Sequence, residues 1–195
     1  MLAPPLLVVV KVAEALEGLR VPYLVGGSLA SSTYGLPRAT QDVDVVADLR
    51  QQHVADLLDA LGPEFYADEE PIREAIRTRS SFNVIYLPTM FKVDIFSVGP
   101  GPWAREEMAR RRLERIGDEE DGASLYFCSP EDTVLHKLEW YRAGGAVSDR
   151  QWSDILGVLK VQAKALDLEY MRYWAVDLGL DRLLDQALRE AGTVP

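Results

Sequence analysis

The chain of 195 residues predicts an α/β (α+β) fold, a short mixed β-sheet core flanked by helices and followed by a helical C-terminal region. Three observations carry this expectation. Short β-like runs alternate with helical periodicity through the first two thirds of the sequence. From Ser129-Pro130 onward every apolar pattern is helical. Hydrophobic residues make up 48% and charged residues 27%, the balance of an ordinary globular protein with room for one substantial core. The change of pattern places a border near residue 129, dividing a core (1–128) from a helical subdomain (129–195).

Taken in order, residues 5–19 carry apolar side chains beside a polar stripe of Lys11, Glu14 and Glu17, as a buried helix does. Tyr23-Leu24-Val25 reads as a strand stopped by Gly26-Gly27. Ser28 suits the N-cap of a short helix from Leu29 to about Tyr34, which Gly35 and Pro37 would end. Asp42 to Val46 forms the next strand, and residues 50–61 an amphipathic helix with Val54, Leu57, Leu58 and Leu61 on one face. Ser81–Leu87 and Phe91–Phe96, separated by Pro88-Thr89, read as a hairpin. After the Gly99-Pro100-Gly101-Pro102 break, residues 103–115 read as a helix carrying Arg105, Arg110, Arg111, Arg112 and Arg115. An acidic loop, Asp118 to Asp121 and Gly122, leads to a strand at Leu125–Cys128. Ser129 then caps a helix with Pro130 at its first position. Ser148 opens another, with Gln151 completing a capping-box pattern. Residues 167–177 and 180–191 are helical by periodicity.

Composition narrows the chemistry. A net charge of −10 opposes broad, non-specific nucleic-acid binding, which depends on Lys and Arg neutralising phosphates. The single cysteine, Cys128, excludes an intramolecular disulfide, and the two histidines, His53 and His136, lack zinc-ligand spacing. Any metal is therefore expected to be held by oxygen. Leu6 to Val10 is too short to span a bilayer and lacks a signal-peptide cleavage pattern, so no membrane association and a cytoplasmic location are expected.

The candidate site centres on Asp42 and Asp44. In an extended strand they share one face while Val43 and Val45 anchor the other. Two like charges on one face are best tolerated with a cation between them, and a hard divalent ion such as Mg²⁺ takes carboxylate and phosphate oxygens. Asp94 and Lys92 share a face of a later strand. Three carboxylates on adjacent strands can hold two ions about 4 Å apart. The turn Gly26-Gly27-Ser28 lets backbone approach a ligand and offers a helix N-terminus to a triphosphate.

Each feature has a structural reading beside the functional one. The glycine turn serves equally as a capped strand-to-helix connection, and the two aspartates as solvated edge residues. Lys92 reads as a phosphate contact or as a solubilising edge-strand lysine, while Arg38 and Thr40 either touch phosphate or make loop hydrogen bonds. Lys137 is a phosphate ligand or part of an exposed helix face. Asp154 reads as structural, Cys128 as core, and His53 and His136 as partly exposed. The arginine cluster reads as a solvated helix laced with Glu106, Glu107 and Glu114, or as an RNA contact. Leu180, Leu183, Leu184, Ala187 and Leu188 have helix-core spacing, with a dimer seam the alternative.

The order Gly26-Gly27-Ser28, Asp42-x-Asp44 and Lys92-x-Asp94, followed by a helical tail, resembles the nucleotidyltransferase superfamily of the DNA polymerase β type. It looks most like the bacterial AbiEii-type enzymes, whose second motif is Lys-x-Asp. The resemblance implies that Asp42 and Asp44 bind both of two Mg²⁺ ions, with Mn²⁺ a substitute. Asp94 would bind the catalytic ion and help activate the acceptor. Phosphate and nucleotide binding would fall to Gly26, Gly27, Ser28, Arg38, Lys92 and Lys137. A later Lys and Arg/Asp motif is approximated by Lys137, Arg142, Asp149 and Asp154 at a different spacing.

The implied activity is Mg²⁺-dependent transfer of a nucleoside monophosphate from an NTP such as ATP to an acceptor hydroxyl. The acceptor would be an RNA end such as tRNA, a protein or a small molecule, and pyrophosphate would be released. An antibiotic-modifying variant, with an aminoglycoside-like or lincosamide-like acceptor, shares this chemistry. Two other classes stay open. An Asp-x-Asp glycosyltransferase would use a nucleotide sugar, and a silent nucleotide-binding protein would act as a toxin–antitoxin-type partner.

Overall fold

The computed structural model describes residues 4–40, 42–117 and 122–193. The acidic loop expected at Asp118–Asp121 lies outside the described residues. In chain order the elements are α1 (Pro4–Gly18), β1 (Tyr23–Val25), α2 (Gly27–Tyr34), β2 (Asp42–Ala47), α3 (Val54–Leu61), β3 (Phe65–Tyr66), α4 (Glu69–Thr78), β4 (Ser81–Tyr86), β5 (Phe91–Ser97), α5 (Pro102–Arg110), β6 (Arg112–Ile116), β7 (Ala123–Phe127), α6 (Pro130–Ala143), α7 (Asp149–Gln162), α8 (Leu168–Asp177) and α9 (Asp181–Ala191). They form two compact units, one of residues 1–26 and 40–127, the other of residues 27–39 and 128–195.

The first unit is built on a mixed sheet in the order β3-β4-β5-β2-β1-β7-β6. β2 runs parallel to β5 and antiparallel to β1, while β1 and β7 are parallel. The alternation read from the sequence decides the faces. Val43, Val45 and Ala47 of β2 and Val93 and Ile95 of β5 are buried on one face, and α1 packs against both strands. Val8, Val9, Val12 and Leu16 of α1 are completely buried. Each such aliphatic side chain contributes about 1.5–3 kcal/mol of transfer free energy. The opposite face of β2 and β5 carries Asp42, Asp44, Lys92 and Asp94, all partly exposed. β4 and β5 form the expected hairpin, with Tyr86 opposite Phe91.

The second unit gathers α2 with α6 to α9. Ser129 caps α6, its hydroxyl oxygen accepting from the Asp132 N–H at 3.1 Å. Gly35 allows α2 to meet α7. A Cβ built there would lie 2.8 Å from the Val158 nitrogen and 2.9 Å from the Ser31 carbonyl oxygen. Ser148 accepts from the Gln151 N–H at 3.3 Å, but the Gln151 side chain takes a hydrogen bond from Lys137 at 3.1 Å.

Several expectations are corrected. The arginine-rich helix expected over 103–115 ends at Arg110, and residues 112–116 are strand β6. Pairing decides this: Glu114 lies opposite the buried Leu125 and Arg112 opposite the buried Phe127, so ladder bonds to β7 override helix propensity. Ser28 lies within the first turn of α2, which begins one residue earlier than its expected cap position. β3 and α4, over residues 65–78, had no counterpart in the expected elements. Among the described residues no helix is long and apolar enough to cross a membrane.

Candidate functional site

The geometry of the acidic face follows from strand register. In the parallel pair Asp42 lies opposite Lys92 and Asp44 opposite Asp94. Parallel partners stand about 4.8 Å apart, so the carboxylates of Asp44 and Asp94 project side by side and Asp42 projects two residues along the same face. The Lys92 ammonium reaches forward two residues to Asp94 Oδ2 at 2.6 Å. That hydrogen bond holds the lysine above its ordinary value, against a lowering by burial, and the charges of Asp94, Asp42 and Asp44 add to the rise. Thr40 donates its hydroxyl to the Asp42 carbonyl at 2.7 Å, which fixes the entry to β2.

The donor set consists only of carboxylate oxygens, which suits a hard divalent cation rather than zinc or copper. Asn83 joins this face without belonging to any sequence motif. It is the antiparallel partner of Asp94 on β4 and is exposed on the same face. The hairpin turn supplies the signal that would have found it, since pairing Tyr86 with Phe91 and counting back places Asn83 against Asp94.

Gly26 closes β1, and its N–H donates to the Asp44 carbonyl at 2.9 Å, tying the turn to the acidic strand. Among the described residues, a Cβ at Gly26 would meet no atom within 4 Å. Gly27 is required by its backbone, with φ at +56°, a conformation that costs other residues about 1–2 kcal/mol.

In the helical unit a second cluster forms. Arg38 grips Asp154 with two nitrogens, Nε to Oδ1 at 3.0 Å and Nη2 to Oδ2 at 2.9 Å, and Nη2 also donates to the Ser28 hydroxyl. Lys137 donates to Asp154 Oδ2 at 2.8 Å. Asp154 and Lys137 side chains are only 9% and 6% exposed, so Lys137 does not belong to an open helix face. Burial pushes the Asp154 carboxyl up, but the hydrogen bonds and charges of Arg38 and Lys137 outweigh it and leave the group below the usual carboxylate range. Ser28, Arg38 and Lys137 are thereby gathered around one carboxylate. Arg142 serves elsewhere, donating to the Leu178 and Gly179 carbonyls at 2.7 and 3.0 Å, and Asp149 starts α7.

No protein family model and no curated protein matches the sequence. Solved structures do. ANT(2″)-Ia in complex with adenylyl-2″-tobramycin aligns with a TM-score of 0.53 at 10% identity, over 90% of this chain and 97% of that one. An antigenic nucleotidyltransferase-like protein from Paracoccidioides brasiliensis aligns with a TM-score of 0.53 at 17% identity, over 96% of this chain and 93% of that one. The chain has a nucleotidyltransferase fold. At such low identity the likeness extends to architecture, and the role of each side chain must be argued from its own chemistry.

Proposed function

We propose that this protein is a Mg²⁺-dependent nucleotidyltransferase that moves a nucleoside monophosphate from an NTP to an acceptor hydroxyl. The observation that carries the reading is the register of β2 and β5, which sets Asp44 beside Asp94 with Asp42 on the same face. Asp42, Asp44 and Asp94 are the residues that would hold the divalent ions. When bound, the ions supply charge neutralisation at the phosphates and polarise the α-phosphoryl group.

The chain's own residues supply the rest. Lys92 engages Asp94 Oδ2, and Oδ1 of the same carboxylate is the atom assigned to take the proton of the acceptor hydroxyl. The acceptor oxygen forms its bond to the α-phosphorus as the bond to the bridging oxygen breaks, and pyrophosphate leaves with the electron pair. Gly26, Gly27 and Ser28 are assigned to phosphate through backbone and hydroxyl donors, with Arg38 and Lys137 as cationic contacts. Asp154 positions those two cations. The Lys92-x-Asp94 motif supports an AbiEii-type affiliation. An NTP-dependent reaction and the single cysteine are both in keeping with the cytoplasm.

Purified protein incubated with each α-labelled NTP, Mg²⁺ and in turn total tRNA, protein extract or small aminocyclitols tests the reading. Label entering one pool, with pyrophosphate released, supports it and names the acceptor class. Binding of NTP without turnover in any pool would favour the silent partner-protein reading instead. Transfer of sugar from a nucleotide sugar would favour the glycosyltransferase.

A further inference from the structure

The strand unit contains an open cavity of about 780 Å³ at the end of β2 and β5 opposite Asp42 and Lys92, where Ala47 pairs with Ser97. At about 3.3 Å per residue, the six-residue β2 puts some 16 Å between the two ends. The acidic face and this cavity are therefore separate.

Its lining is unusual for a chain with a net charge of −10. Arg50, Arg79, Arg105 and Arg111 line it, against one carboxylate, Asp48. That carboxylate approaches Arg50 only to 3.6 Å, with side chains 68% and 45% exposed for Arg50 and Asp48, so it neutralises little. The side chains of Arg79 and Arg105 make no hydrogen bond or ion pair with other described residues. Arg79 sits at the left-handed C-cap of α4, with φ at +54°, and lines the cavity. Arg111 lies with its guanidinium 4.7 Å from the Tyr126 ring centroid and donates from Nη1 to the Met108 carbonyl, while its buried Nε has no hydrogen-bond partner among the described residues. The apolar part of the wall comes from Ile76, Val98 and Met108.

We propose that this cavity is a second ligand site, for an organic phosphate: a phosphomonoester carrying an apolar or planar group. Guanidinium groups are the preferred partners of phosphate oxygens, and four arginines contribute to this lining. The apolar wall has no counterpart in a site for inorganic phosphate. The volume lies within the range of small-molecule pockets, and the overall acidity of the chain disfavours an extended polyanion. The proposal stands apart from the nucleotidyl-transfer reading, because no residue of the acidic face is used.

Calorimetric titration of the full chain with phenyl phosphate, in EDTA to silence metal-dependent binding, is the test. One saturable site per chain is expected, tighter than for inorganic phosphate. Arg79→Gln/Arg105→Gln, both on exposed side chains, should weaken it about tenfold or more without changing the melting temperature. The Nε–Hε resonances of Arg79 and Arg105 should shift during the titration. Asp44→Asn should bind phenyl phosphate as wild type does, which separates this site from the carboxylate site. Binding that is absent, that survives the double substitution, or that is lost in Asp44→Asn would overturn the proposal. Preference for single-stranded RNA over phenyl phosphate would overturn it as well, in favour of a nucleic-acid surface.

Discussion

Replacing Asp44 by Asn separates function from stability. Asn keeps the size and hydrogen-bonding capacity of Asp44 but removes one of two charges that face each other across β2 and β5. At the inter-strand spacing of about 4.8 Å and an effective dielectric of about 20, two carboxylates repel by about 3.5 kcal/mol. The face is partly exposed and Lys92 already neutralises Asp94, so a relief of about 1 kcal/mol is the appropriate figure. For a chain of 195 residues this raises the metal-free melting temperature by about 2–4 °C. Mg²⁺ with a non-hydrolysable NTP should raise the wild-type melting temperature and leave the variant nearly unmoved. Transfer should fall about 10³-fold or more, the loss expected when a charge-stabilising contact worth about 4 kcal/mol disappears. Thermal melts with and without metal, together with labelled-NTP turnover, read all three quantities. A variant that melts several degrees lower, or that turns over at the wild-type rate, would refute the reasoning that places these charges in a cation site.

Three further outcomes follow from the helical unit. Asp154→Ala strands the largely buried Lys137 and the partly buried Arg38, and urea unfolding should show a loss of about 3 kcal/mol. Because the Asp154 carboxyl lies below its unfolded value, its contribution is complete above the ordinary carboxylate pKa of about 4. That contribution disappears as pH falls through the lowered folded value. Asp154→Asn should accordingly flatten the acid limb of the stability profile, and an unchanged limb would contradict the pairing. Gly35→Ala pushes a methyl group into the Val158 and Ser31 backbone, and calorimetry should register a loss of about 1–3 kcal/mol.

The acidic site was legible because its determinants are local. A two-residue period sends Asp42 and Asp44 to one face, and the same rule puts Lys92 with Asp94. The alignment of the two pairs is tertiary and appears only in the register. The hairpin was readable from its turn, yet Asn83 became visible only when the strand pairing was counted back from that turn. Helix α4 escaped because its sequence, EEPIREAIRT, is short and mostly charged and buries only Ile72 and Ala75. Strand β6 was mistaken for helix because arginine and glutamate are good helix formers, and nothing in the segment itself announces β7 as its partner. Asp154 reads as structural in the sequence and is so in the fold, as the largely buried carboxylate to which both Arg38 and Lys137 bind. That connection joins residues 116 apart in sequence, beyond the reach of any local pattern.

The central claim is that Asp42, Asp44 and Asp94 together hold the divalent ions that serve nucleotidyl transfer. Electron paramagnetic resonance of Mn²⁺, titrated into the protein with a non-hydrolysable NTP, tests it most directly. About two tightly bound ions per chain are expected for the wild type. Asp94→Asn and Asp44→Asn should each lose at least one of them while the fold is retained. Equal Mn²⁺ occupancy in all three proteins would contradict the account.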